Sequence, residues 1–142
     1  MPRAILVVME NEIVCAQALD FAAELAQRLA AEAKLLMVVE PPPAANRQPE
    51  LERRAVQALD RLASRFVERG VAAEATLRLG QPRRELLRFL AQRPPFQALI
   101  WGSGHELAGG RHGHWLEKTA GLLECPLWTV ASRDDGSEGR GS

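Results

Sequence analysis

The densest run of residues able to do chemistry lies between Gly102 and His114, where Gly102-Ser103-Gly104-His105-Glu106-Leu107-Ala108-Gly109-Gly110-Arg111-His112-Gly113-His114 follows the apolar stretch Ala98-Leu99-Ile100-Trp101. A glycine-rich loop between a strand and a helix exposes backbone N–H groups to an anion, so this run reads as a phosphate cradle or as a loop needing positive φ values. Its three histidines, with Glu106 beside them, also raise a metal site, but the spacing fixes no fourth ligand, so no metal is assigned. Glu10 and Glu12 close the first apolar run, where carboxylates serve as hydroxyl contacts, as a cation site, or as favourable charge at a helix N-terminus. That last role is the ordinary one and is expected first. Cys15 and Cys125 form no CxxC or CxxH pair and read as small packing residues. No Ser-His-Asp arrangement is evident and no base stands against a nucleophile, so no catalytic residue is assigned.

Strands and helices must position these groups. Ala4 to Met9 and Leu35 to Val39 are continuous, branched apolar runs, as strands buried on both faces should be. Between them, Ile13 to about Leu29 carries Val14, Ala18, Phe21, Leu25 and Leu29 at helical spacing. A second helix begins near Pro49, with Leu51, Ala55, Leu59, Leu62 and Phe66 in one stripe and Gly70 as its left-handed cap. Val71 to Leu79 is the third strand. A third helix starts at Pro82, packs with Leu86, Leu87 and Leu90, and stops before Pro94. Ala98 to Trp101, a helix over about 114–124, and Leu127 to Val130 complete an alternation of five strands and four helices. Alternation of this kind dictates right-handed crossovers, a parallel sheet and helices on both faces. Ligands of such sheets bind beyond the carboxyl ends of the strands, where the strand order reverses.

At 142 residues, with 18 basic and 18 acidic side chains, the chain is the size of one domain and lacks the broad charge expected of a nucleic-acid or membrane-surface binder. No apolar run approaches the roughly 18 residues of a membrane span, and no secretion signal is visible. A cytoplasmic protein is expected, with a domain over 1–131 and a polar, disordered tail over 132–142.

Ile5-Leu6-Val7-Val8 followed by an acidic residue, Gly80-Gln81-Pro82 opening a helix, Leu99-Ile100-Trp101-Gly102-Ser103, and Cys125-Pro126-Leu127-Trp128-Thr129-Val130 stand in the order and spacing of the universal stress protein family, which the chain resembles from Arg3 to Val130. The resemblance implies a Rossmann-like open sheet of order 3-2-1-4-5 and a homodimer joined through the fifth strands. It also implies a non-enzymatic stress-response or regulatory role, with ATP or another adenine nucleotide as ligand in many members and none in others. Carried onto this chain, Val39 lies near the base, Glu10 near the ribose, and Gly102, Ser103, Gly113 and His114 near phosphate. Several positions depart from the family's G-x2-G-x9-G-[S/T] pattern. His105 stands at the second glycine, His114 replaces the hydroxyl, the Gly102-to-Gly113 interval is shorter, and Glu10 replaces an Asp. Imidazole donates to phosphate only in the right tautomer or when protonated. Two other readings therefore stay open: a nucleotide-free dimer that docks an unknown protein partner, and a weak nucleotide hydrolase.

Overall fold

The computed structural model describes residues 3–93, 95–103 and 125–129. Five strands, β1 (Ala4–Glu10), β2 (Glu32–Val39), β3 (Ala73–Leu79), β4 (Ala98–Trp101) and β5 (Leu127–Trp128), form one parallel sheet of order β3-β2-β1-β4-β5. Helices α1 (Ala16–Leu29), α2 (Gln48–Glu68) and α3 (Pro82–Ala91) connect them. The expected strand order and helix layers are both present. The expected helix over 114–124, Val130 and the tail lie outside the described residues.

Strand periodicity divides the core in two. Ile5, Val7, Met9, Leu35, Met37 and Ile100 face α1 and α2, whereas Leu6, Val8, Leu36, Val38, Leu99 and Trp101 face α3. The order reverses between β1 and β4, because α1 and α2 lead the chain outward across one face and α3 returns it across the other. Val7 pairs with Leu35 on one side and Ile100 on the other, so β1 is the central strand and its carboxyl end borders the switch point.

Several boundaries differ from the sequence reading. Helix α1 begins at Ala16 instead of Ile13, since Cys15 is still extended. Its buried face is Ala18, Leu19, Ala22, Ala23 and Ala26, with Phe21, Leu25 and Leu29 at the margins. Bulky residues drew the expected stripe to one side, whereas small ones let a helix lie close to a sheet. Strand β2 starts earlier, at Glu32, and β3 later, at Ala73. Helix α2 follows its expected stripe, and Gly70 takes φ 82° beyond it. In α3 the buried residues are Leu86 and Phe89 with Pro82 and Glu85, while Leu87 and Leu90 are half-buried. Phe89 packs parallel to Phe96 at 6.3 Å between centroids, an aromatic anchor that a stripe of leucines does not signal.

Candidate functional site

The site residues converge where β1, β2 and β4 end. Gly102 closes β4 by donating its N–H to the Val8 carbonyl at 2.7 Å, and its own carbonyl accepts from Cys15 N–H at 2.8 Å. A Cβ at Gly102 would stand 2.9 Å from Met9 Cγ and 3.0 Å from Val7 Cγ1, so glycine is required by close approach to β1. The neighbouring Ser103 is 4% exposed, and its hydroxyl accepts from Glu10 N–H at 2.8 Å and donates to the Ile13 carbonyl at 2.7 Å. One buried hydroxyl thus fastens both sides of the loop after β1 to the end of β4.

The same loop is tied to β2. Asn11 adopts the left-handed conformation, φ 57°, which a short amide side chain tolerates better than most. Its N–H donates to the Val38 carbonyl at 2.7 Å, and its Oδ1 accepts from Glu40 N–H at 3.1 Å. Val39 is buried among the side chains beneath α1 and α2, and its carbonyl accepts from Gly80 N–H at 3.0 Å.

A third tether reaches α2. Arg54 Nε and Nη2 donate to the two carboxylate oxygens of Glu12 at 3.1 and 2.7 Å. This fork of hydrogen bonds holds the Glu12 carboxyl below its ordinary range. Beside it, Pro42, Arg47, Glu50, Leu51 and Arg54 line an open groove of about 400 Å³.

Glu10, Gly102 and Ser103 are therefore brought together, 93 residues apart in sequence between Glu10 and Ser103. Val39 joins them across the Asn11 clamp. Gly113 and His114 lie outside the described residues, as do His105, Glu106 and His112. The first turn of α1 contains no acidic residue, so the expectation that Glu10 and Glu12 decorate that helix N-terminus is corrected. With Cys15 still extended, both carboxylates precede the helix, and Glu12 pairs with α2 instead. Trp101 is buried against the α3 side, whereas Trp128 is 44% exposed with its ring 5.5 Å from that of Phe21. Trp115 lies outside the described residues. Sequence reasoning missed Asn11 and Arg54. An Asn directly after a strand is itself a signal for a left-handed turn. Arg54, 42 residues from Glu12, carries no comparable local signal.

Glu10, the end of β2 and the Gly102–Ser103 turn thus meet at the carboxyl edge of the sheet, where the strand order reverses. A family model described as the universal stress protein family matches residues 1–130. A comparison with curated proteins gave no match. Among solved structures, a universal stress protein family member from Burkholderia pseudomallei is 20% identical, with a TM-score of 0.70 over 91% of this chain and 96% of that one. The Archaeoglobus fulgidus universal stress protein in complex with dAMP is 17% identical, with a TM-score of 0.64 over 92% and 98%. An Arabidopsis thaliana family protein with AMP bound is 19% identical, with a TM-score of 0.62 over 96% of both chains. At these identities the likenesses establish the fold.

Proposed function

The chain belongs to the universal stress protein family, and we propose that it is a non-catalytic stress-response protein that binds an adenine nucleotide beyond the carboxyl ends of β1, β2 and β4. The observation that carries this reading is the Ser103 bridge, which locks the Glu10 loop against β4 and so builds a defined wall at the topological switch point. Family structures with AMP and dAMP bound support the ligand class. In this reading the Glu10 carboxylate accepts from ribose hydroxyls, the chain at Val39 borders the base, and Gly102 and Ser103 set the course of the loop that carries Gly113 and His114 to the phosphates. His114 then donates from imidazole where a hydroxyl would otherwise act.

Titration calorimetry of nucleotide-stripped protein with ATP and Mg²⁺, beside mass spectrometry of co-purifying ligand, tests the proposal. Saturable binding weakened about tenfold by Glu10→Ala or Gly113→Asp is expected, with no ADP released above a mock preparation. Absence of both heat and retained ligand overturns it.

The half-exposed Trp128 at the β5 edge favours a second, compatible element: a homodimer joined at that edge. Trp128→Glu is then expected to give a monomer in light scattering. If nucleotide binding fails and the dimer remains, the protein is an interaction module. Residues 1–131 would form the folded unit and 132–142 a tail, and Cys15 and Cys125, neither of them in a disulfide, suit a reducing cytoplasm. No described helix is long and apolar enough to cross a membrane.

A further inference from the structure

Zero net charge over the whole chain conceals a local imbalance. Between Ala75 and Ser103 stand Arg78, Arg83, Arg84, Arg88 and Arg93, against Glu85 as the one acidic residue. Glu85 is 7% exposed and holds Arg88 at 3.4 Å, while the Arg88 side chain remains 59% exposed. The Arg93 guanidinium sits 3.7 Å from the centroid of the Phe89 ring and that of Arg78 5.7 Å from it. Phe89 is itself buried and backed by Phe96. Two like charges thus share one fixed aromatic ring. Glu74, whose carboxyl feels Arg93, is engaged by Lys34 Nζ at 2.6 Å.

Solubilising arginines ordinarily sample many rotamers and contribute little to recognition. Here cation–π stacking and the Glu85 contact order three guanidinium groups before any partner arrives, which lowers the entropy cost of binding. An anion laid across them would also relieve the repulsion between Arg78 and Arg93. The spacing suits an extended chain. Arg84 and Arg88 are one helical turn apart, about 6 Å along the axis. Alternate side chains of an extended peptide recur every 6–7 Å or so on one side. Helix α3 has 10 residues and so spans about 15 Å, which meets few phosphates of a nucleic acid.

We propose that the face formed by α3 and the Arg78 end of β3 is a docking surface for an acidic, extended segment of a partner protein, with Arg78, Arg84, Arg88 and Arg93 as its anion contacts. This surface is separate from the switch-point cleft and does not depend on nucleotide binding. The test is fluorescence anisotropy of the full chain with a labelled peptide of alternating Glu and Ser, about twelve residues long. The same peptide with Gln for Glu and a single-stranded oligonucleotide of equal charge serve as the other probes. Saturable binding of the Glu peptide is expected, weakening as salt rises and absent for the Gln peptide. The variant Arg84→Glu, on the exposed face, is expected to lower affinity about fivefold or more while keeping the wild-type circular dichroism melt. Arg53→Glu, on exposed α2, is expected to change affinity less than about twofold. No saturable peptide binding, an equal loss with Arg53→Glu, or tighter binding of the oligonucleotide than of the Glu peptide each overturns the proposal.

Discussion

The two faces of the sheet solve the same burial problem with opposite materials. Toward α1 and α2 the sheet is met by Ala18, Ala22, Ala23, Ala26 and Ala55, with Leu59, Leu62 and Phe66 filling one flank. Toward α3 it is met by Leu86, Phe89, Phe96 and the strand residue Trp101. Small residues permit close helix approach and leave little room for added volume, whereas a few large side chains concentrate stability in single positions. The first face should therefore be sensitive to enlargement and the second to truncation.

Phe89→Ala probes this difference most severely. Loss of a buried aromatic that Phe96 stacks upon is expected to cost about 3–5 kcal/mol, read as a lower urea midpoint. It should also release Arg78 and Arg93 from their shared ring. On the opposite face, Ala22→Leu at a fully buried position is expected to destabilise by about 2–3 kcal/mol through overpacking. Were Ala22→Leu neutral, the close-packed account of that face would be broken. Smaller still is Ser103→Ala, which joins the two halves of the structure at the switch point. It strands the Glu10 N–H and the Ile13 carbonyl and is expected to cost about 1–2 kcal/mol in a melt, while weakening nucleotide binding more than Ala22→Leu does.

The smallest effect is electrostatic and pH-dependent. Glu12 is held below its ordinary carboxylate range by Arg54, so the folded state binds its proton less readily than the unfolded chain. Its contribution is present above the unfolded pKa and is lost as pH falls through the depressed folded value. Urea midpoints measured from pH 7 downward for the wild type and Glu12→Gln are expected to differ near neutrality and to converge in acid. The pair is exposed enough that the difference at neutral pH should be slight.

Much of this fold is written in local pattern. The branched runs Ala4–Met9 and Leu35–Val39 admit strands buried on both faces, and the Leu51-to-Phe66 stripe with Gly70 admits one helix with one cap. Alternation and handedness then leave the doubly wound sheet, while the order 3-2-1-4-5 came from the family resemblance of the same residues. Legibility falls where small or aromatic residues carry the packing. Ala22 and Ala26 look neutral to a hydrophobic stripe, and Phe89 stands among leucines that mark the packing face less accurately than it does.

The candidate site divides in the same way. Gly102 and the acidic end of β1 were visible in the sequence as a glycine turn and a carboxylate after a strand. The sequence by itself determined the five strands and the three described helices, and the placing of Glu10, Val39 and Gly102 at strand ends, because those follow from periodicities of two and 3.6 residues along a single segment. Tertiary structure alone decided that Ser103 spends its hydroxyl on Glu10 and Ile13, that Glu12 turns to Arg54, and that Arg78 and Arg93 meet over Phe89. Those contacts join segments whose spacing in the chain carries no periodic signal. They exist only because the crossovers bring the strand ends and helix faces within hydrogen-bonding distance.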